Sequence, residues 1–470
     1  MNRSLRRLMA YAAGSIVVMA AGPIFTATAV SAEQERQGEG DIGALAGINH
    51  LVVIYDENHS FDNLYGSFPG ANGISRASAT SKTQVTLAGV PYTTLPQTDP
   101  HIPTNLPNEP FDITKYVPAN QKTRDLVHRY YQEQVQIDGG KMDKFVAVSD
   151  AKGLAVGYYP TAQLPVAAEA ANYALADNFF HAAFGGSFLN HQWLVCACTP
   201  VYADAVKDGS SKDLHTILGA DGLPTKDGQL TTVATGDYAI NTIFPAVAPT
   251  IATAAHLPLL KNATIGDRLT AGGVSWAWYS GGWNDAVAGH ADPLFQYHHQ
   301  AFNYYANYAP GTEGRAHLQD ETDFIAAAKG GTLPAVSFVK PLGPDNEHPG
   351  YTDLVRGEQH LIDLINDVRS GPNWADTAIV ITYDEHGGFW DHVAPPTSEK
   401  HSDVWGPGAR VPTIIISPLA KRHFVDHTLY DTTSILATIE HRWHLEALGT
   451  RDANAHDLRR AFTFREGATD

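Results

Sequence analysis

The most constraining feature of this sequence is a series of apolar segments of strand length that alternate with helix-forming segments. Residues 48–55 form a continuous apolar run, which is typical of a strand buried on both faces, and residues 377–383 are also strand-like. Further strands are predicted at 274–279, 334–339 and 412–417, and helices from Ser60 and at 124–136, 161–174, 267–269, 353–368 and 432–444. This alternation predicts an α/β fold with a mostly parallel central sheet.

The 470 residues show no compositional linker, so we predict one catalytic domain over residues 47–470 with loop insertions in its middle section. Arg3, Arg6 and Arg7 precede an apolar stretch that ends in the small residues Ser31 and Ala32. This pattern predicts an export signal over residues 1–32, followed by a flexible leader over 33–46. We therefore expect a periplasmic or extracellular protein, with a retained membrane anchor as the alternative.

Composition excludes several classes of protein. With 50 acidic and 32 basic side chains the formal charge is −18, which argues against nucleic acid or an anionic lipid surface as a partner. No segment after the export signal is long and apolar enough for stable membrane insertion. The two cysteines exclude a disulfide framework. We expect Cys196 and Cys198 to be buried as small apolar residues, with a labile redox pair as the alternative.

Polar clusters follow two of the predicted strands. The first strand leads into residues 56–62 (DENHSFD) and the strand at 377–383 leads into residues 384–392 (DEHGGFWDH). In an open α/β sheet, functional groups collect at the carboxyl ends of the strands. Several carboxylates on one edge repel each other unless a cation neutralises them, and oxygen and imidazole ligands suit a divalent metal. The alternative is that they are solvated loop residues or helix caps.

A third segment carries a candidate nucleophile. Gly185 and Gly186 allow the backbone to approach a ligand, and Ser187 would begin a helix, where backbone N–H groups attract phosphate. Ser187 is therefore either a nucleophile or an ordinary N-cap. The esterase motif G-x-S-x-G is not matched, because Leu189 occupies its last position. The sequence is rich in histidine, with further candidates at His128, His298, His299 and His348.

Seven segments, taken in order along the chain, resemble the bacterial acid phosphatase and phospholipase C phosphoesterases of the alkaline phosphatase superfamily. They are ENHSFDNLYG (57–66), GGKMDKFV (139–146), FGGSFLNHQW (184–193), FQYHHQAFNY (295–304), NEHPGY (346–351), YDEHGGFWDHV (383–393) and GPGARVPTIIISP (406–418). The resemblance implies an alkaline-phosphatase-like three-layer α/β/α sandwich. It also implies one divalent metal ion of unknown identity, bound by Glu57, Asn58, Ser187, Asp384 and Glu385.

The same resemblance implies that Ser187 forms a phosphoserine intermediate and that His128, His298, His299 and His348 surround the phosphate. His386 lies next to the implied ligands and receives no definite role. Because histidine gains charge below about pH 6.5, we expect an acidic optimum.

Two features favour the acid phosphatase branch and thus hydrolysis of phosphomonoesters. Phospholipases C of the family follow the nucleophile with proline and then Asn-Arg, whereas Phe188-Leu189-Asn190-His191 stands here, and the pair His298-His299 resembles the acid phosphatases. Cleavage of a phospholipid headgroup is the alternative, so the expected partner is a small phosphoester or a phospholipid. A sulfatase is disfavoured because Cys198-Thr199-Pro200-Val201-Tyr202 lacks the required arginine, and a non-catalytic binding protein is disfavoured by Ser187.

Overall fold

The computed structural model of the chain describes residues 45–202, 215–216 and 238–463. Its central feature is an eight-stranded sheet. In chain order the strands are β1 (His50–Asp56), β2 (Ala174–Ala176), β3 (Trp276–Ser280), β4 (Leu318–Asp320), β5 (Val336–Lys340), β6 (Thr377–Tyr383), β7 (Thr413–Ile416) and β8 (Phe424–Asp426). The predicted export signal and most of the leader lie outside the described residues.

Across the sheet the order is β4-β3-β5-β1-β6-β7-β2-β8. Strand β7 runs antiparallel to both of its neighbours, and the other pairs are parallel. The prediction of an α/β fold with a mostly parallel sheet is therefore confirmed. Strands β1 and β6 lie side by side, with Asp56 paired to Tyr383, so the residues after both strands emerge at the same edge.

Twelve α-helices occur in the described residues. They are α1 (Phe61–Tyr65), α2 (Ala79–Lys82), α3 (Tyr130–Ile137), α4 (Phe145–Val148), α5 (Ala167–Asn172), α6 (Ser187–Cys196), α7 (Ile265–Ala271), α8 (Trp283–Val287), α9 (Glu321–Gly330), α10 (Leu354–Ser370), α11 (Thr432–Trp443) and α12 (Thr450–Asn454). Helix α9 packs on β3, β4, β5 and α10, while α6 packs on α11. None of the helices in the described ranges has the length and apolar character needed to cross a bilayer.

The pattern of burial explains why the two central strands could be predicted. All of β6 and all of β1 after His50 are buried, so both strands need apolar side chains on both faces. Helix α10 buries a single stripe, formed by Leu354, Leu361, Leu364, Ile365 and Val368. Its remaining residues are largely polar, which is the pattern of an amphipathic helix on the surface of a core.

Three predictions about local structure were wrong. The helix expected at 124–136 begins only at Tyr130, because Arg129 has extended backbone angles and the Val127 N–H donates to Asp150 rather than entering a helix. The helix expected at 161–174 is a 3₁₀ turn followed by Ala167–Asn172, since Pro165 disfavours helical angles in the residue before it. Cys196 and Cys198 are joined by a disulfide rather than remaining two free thiols.

Candidate active site

The ends of β1 and β6 bring the two predicted polar clusters together. Glu57 and Asn58 directly follow β1, and Asp384 and Glu385 directly follow β6. The Asp384 N–H donates to the Asp56 carbonyl oxygen at 3.0 Å, which fixes the two loops against each other. All four side chains are completely buried. The alternative that these carboxylates are solvated loop residues is therefore wrong.

Ser187 lies beside this cluster as the first residue of helix α6. The N-cap is Gly186, so the alternative that Ser187 is the N-cap is wrong. The Ser187 Oγ lies 3.2 Å from Glu57 Oε2 and 3.4 Å from Asn58 Oδ1, in position to donate to either oxygen. Gly185 has a φ of +91°, and a Cβ there would lie 2.5 Å from the Tyr130 nitrogen, so only glycine fits where the loop crosses α3.

The carboxylates satisfy the chemical requirements of a divalent metal site. Within the described residues, Asp384 Oδ2 and Glu385 Oε1 are buried without a hydrogen-bond partner. Burial raises the pKa of both groups well above the usual carboxylate range, and neighbouring carboxylates raise each pKa further. A cation between them would supply the missing partner and offset the repulsion. The oxygen donors of Glu57, Asn58, Ser187, Asp384 and Glu385 therefore fit a hard or borderline divalent ion.

The four predicted histidines share one cavity with Ser187. This cavity has a volume of about 460 Å³, and its walls include Ser187 and the imidazoles of His128, His298, His299 and His348. Its remaining side chains are mainly polar or charged, and they include Asp125, Arg129, Asp150, Asn241, Gln296 and Tyr351. The volume accommodates a phosphate group together with part of a larger substrate.

Burial changes the expected charge of three of these histidines. It lowers the pKa of His298 well below the ordinary value, that of His348 below it, and that of His299 to about 4. Glu57 raises all three pKa values, but by less than burial lowers them. In the free protein these imidazoles thus become charged at a lower pH than the value near 6.5 that the sequence suggested.

Two site residues were missed in the sequence. Lys340 is fully buried at the end of β5, with its Nζ 2.6 Å from Glu57 Oε1 and 4.0 Å from Asp384 Oδ2. His191 is also buried, with Nδ1 2.7 Å from the Ser187 carbonyl oxygen and its ring stacked on His299. A signal existed for each. Lys340 directly follows a predicted strand, and His191 lies four residues after Ser187 on the same helix.

His386 lies behind the cavity rather than in its wall. Its Nδ1 is 3.5 Å from both Glu385 Oε2 and Glu133 Oε1. Glu133 is a buried carboxylate that also accepts the Gly185 N–H at 2.6 Å and lies 2.8 Å from His181 Nε2. Glu133 therefore connects the loop that carries Ser187 with the residue next to Glu385.

The sequence matches the model of the Phosphoesterase family over residues 48–446. The chain therefore belongs to the Phosphoesterase family. It is 26% identical over 466 residues to phospholipase C B of Mycobacterium tuberculosis, with 90% of this chain and 79% of that protein aligned. It is 24% identical over 500 residues to the non-hemolytic phospholipase C of Pseudomonas aeruginosa, which covers 98% of this chain and 62% of that protein.

A solved structure from Vibrio parahaemolyticus is described as a protein in the alkaline phosphatase superfamily. Its alignment with this protein covers 80% of this chain and 76% of the Vibrio chain. The TM-score of this alignment is 0.32 and the sequence identity is 11%. The family and the two phospholipase C relatives, in contrast, identify the protein as a phosphoric ester hydrolase.

Proposed function

We propose that the protein is an exported, metal-dependent acid phosphatase that hydrolyses phosphomonoesters through a phosphoserine on Ser187. The observation that carries the proposal is the position of the Ser187 hydroxyl. It lies in the wall of a polar cavity, 3.2 Å from a buried carboxylate and among four imidazoles. The export part of the proposal rests on the signal-like pattern of residues 1–32.

Glu57, Asn58, Asp384 and Glu385, together with Ser187, would hold one divalent ion. When bound, such an ion lowers the pKa of the serine hydroxyl and neutralises charge on the phosphoryl oxygens. Glu57 Oε2 and Asn58 Oδ1 orient the Ser187 hydroxyl toward the cavity.

In the first chemical step, Ser187 Oγ forms a bond to phosphorus as the bond to the ester oxygen breaks, and an imidazole of the cavity wall passes the proton that Ser187 loses to the leaving alcohol. The imidazoles in the cavity wall donate hydrogen bonds to the equatorial oxygens, where negative charge is concentrated in the transition state. The N–H groups in the first turn of α6, whose N-cap Gly186 has no side chain to accept them, add partial positive charge. Water then cleaves the Ser187 phosphoester, which releases phosphate and restores the hydroxyl.

The walls of the cavity favour a polar leaving group. Among the described residues, the cavity wall beyond Ser187 and the histidines includes the polar Asp125, Arg129, Asp150, Asn241 and Gln296 as well as the apolar Leu126 and Val127 and the ring of Tyr351. Polar groups like these hydrogen-bond to hydroxyl groups of a substrate, whereas a diacylglycerol leaving group needs an apolar surface.

The second candidate function is a phospholipase C. It is supported by the relatives from Mycobacterium and Pseudomonas, both of which are named phospholipase C.

Hydrolysis of p-nitrophenyl phosphate and of p-nitrophenyl phosphorylcholine, measured on one metal-loaded preparation, separates the two candidates because both substrates release the same chromophore. We expect kcat/KM to be at least about a hundredfold higher for the monoester. A factor of this size is typical when an enzyme loses one central contact that stabilises the transition state. The reverse preference would assign the protein to the phospholipases C. Removal of metal with a chelator should abolish both activities, and full activity of a verified metal-free sample would contradict the metal dependence.

A further inference from the structure

Lys340 is an ammonium group buried inside the proposed metal site. It has no exposed surface, and its Nζ lies 2.6 Å from Glu57 Oε1, 3.1 Å from the Asp56 carbonyl oxygen and 4.0 Å from Asp384 Oδ2. A buried lysine must be paired, and here its partners are two of the carboxylates assigned to the metal. Lys340 thus occupies space between ligands that could otherwise face a second cation.

Lys340 also makes the two oxygens of Glu57 different. Oε1 lies 2.6 Å from Lys340 Nζ and 2.7 Å from His299 Nε2. Oε2 instead lies 3.2 Å from Ser187 Oγ. The carboxylate is therefore fixed so that one oxygen faces the nucleophile, while the other is already neutralised by the protein.

The charges of the site lead to the same conclusion. Glu57, Asp384 and Glu385 can carry three negative charges when ionised, and Lys340 supplies one positive charge. The remaining charge of −2 matches one divalent ion, whereas a second divalent ion would leave the buried cluster positive and would lie close to the ammonium.

We propose that Lys340 is a positioning residue that acts as the fixed positive charge of the site, limits the site to one divalent ion and holds Glu57 toward Ser187. This inference rests on the metal dependence in the proposed function, but not on the identity of the substrate. It leads to an unusual combination of effects. Removal of the ammonium should strengthen metal binding and at the same time weaken catalysis.

The test is the variant Lys340→Met, because methionine has a side chain of comparable length without charge. Binding of Mn²⁺ and Zn²⁺ to the metal-free protein is measured by calorimetry, and metal content by elemental analysis. We expect the wild type to bind one equivalent. Lys340→Met should bind metal at least about tenfold more tightly or take up a second equivalent, while kcat falls at least about tenfold, since a fixed charge close to the ion is removed. Weaker or unchanged binding of a single equivalent by Lys340→Met would overturn the inference.

Two further variants separate charge from geometry. Lys340→Arg keeps the charge and should bind one equivalent with nearly wild-type affinity. His299→Gln removes the other close neighbour of Glu57 Oε1 and leaves the ammonium of Lys340 in place. A gain in affinity for His299→Gln as large as that of Lys340→Met would show that geometry, and not charge, controls metal binding, and would overturn the inference.

If Lys340→Met does not fold without metal, Lys340→Gln replaces it, and metal is counted in protein purified in the loaded state. If this neutral variant binds one equivalent of metal with wild-type affinity, measured in competition with a chelator, the inference is overturned. The outcomes also separate this inference from the proposed function. A wild type that binds one metal ion but hydrolyses neither ester contradicts the proposed function alone, whereas a wild type that binds no divalent ion contradicts the inference directly.

Discussion

The segments that follow β1 and β6 each contribute carboxylates to two different buried clusters. The metal cluster contains Glu57, Asp384 and Glu385. The arginine cluster contains Asp62 from helix α1, which follows β1, and Asp391 from the loop after β6, and it surrounds the fully buried Arg410. Both clusters are acidic and closed to solvent, so composition and burial alone do not distinguish them.

Hydrogen bonding does distinguish them. In the arginine cluster Asp391 accepts two bonds from Arg410, at 2.8 and 3.1 Å, and each of its oxygens also accepts a backbone N–H, from Val393 or Asp62. Both oxygens of Asp62 are likewise used, one by Arg410 at 3.3 Å and the other by His392. The protein itself thus supplies every partner that the arginine cluster needs.

The metal cluster is incomplete in comparison. Its one ammonium, Lys340, reaches Glu57 at 2.6 Å but is 4.0 Å from Asp384. Among the described side chains, Asp384 Oδ2 and Glu385 Oε1 have no hydrogen-bond partner. A buried acidic cluster with satisfied oxygens therefore indicates a structural role, and one with unsatisfied oxygens beside a cavity indicates a site for a cation.

The largest effect expected from this comparison is on the arginine cluster. Arg410→Met leaves two buried carboxylates without their counterion, and we expect the free energy of unfolding to fall by about 3–5 kcal/mol. Urea denaturation of the metal-free protein measures the loss. Metal content of the folded fraction should not change. A loss below about 1 kcal/mol would show that the cluster does not stabilise the fold.

Ser187→Ala tests the catalytic role of the residue that lies beside the metal cluster. We expect kcat for a phosphomonoester to fall at least about a hundredfold, which is about 2.7 kcal/mol of transition-state stabilisation, while the fold persists. Ser417→Ala is the matched control, because Ser417 is a buried serine whose hydroxyl donates to the Thr377 carbonyl oxygen, away from the cavity. It should change stability but not turnover. Near-normal turnover of Ser187→Ala would exclude Ser187 as the nucleophile.

Asp384→Asn and Asp391→Asn form a pair with opposite expected signs. Burial raises the pKa of Asp384, so its ionised form is disfavoured in the folded protein, and the neutral variant should gain about 1 kcal/mol in the absence of metal while losing metal affinity. Burial also raises the pKa of Asp391, against the opposing effect of Arg410, but both oxygens of Asp391 accept hydrogen bonds in the folded protein. Asp391→Asn breaks part of this bonding and should lose about 2 kcal/mol. Chemical denaturation at pH 8 with a chelator compares the two, and a loss of stability in both would contradict the distinction between the clusters.

Much of this site could be predicted from the sequence because its parts follow local rules. β6 was placed at its observed bounds and β1 within two residues, since strands buried on both faces need apolar runs. The rest depends on contacts between distant residues. Lys340 and Asp56 are separated by 284 residues. The position of Lys340 after a predicted strand places it at the edge of the sheet, but no local pattern shows that Lys340 or Arg410 is a buried counterion. The late start of α3 likewise depends on Asp150, which accepts a backbone N–H from residue 127.

The last expected effect depends on pH and concerns Asp56, which lies directly behind the metal cluster. Burial raises the pKa of Asp56 to about 7, and Lys340 lowers it by less. A carboxyl whose pKa is higher in the folded than in the unfolded state stabilises the protein fully below the unfolded value near 4, and this contribution is lost as the pH rises through 7.

We therefore expect the free energy of unfolding of the metal-free wild type to fall by about 2 kcal/mol more between pH 5 and 7 than that of Asp56→Asn. Asp457 is the control with the opposite shift. Its pKa is lowered to about 2, mainly by His441 and Arg459 acting against burial, so its contribution is lost only in stronger acid and Asp457→Asn should keep the wild-type slope. Equal slopes in the wild type and Asp56→Asn would mean that Asp56 is ionised throughout this range. Asp56 would then add a fourth negative charge to the three of Glu57, Asp384 and Glu385, and Lys340 would neutralise a smaller share of the total.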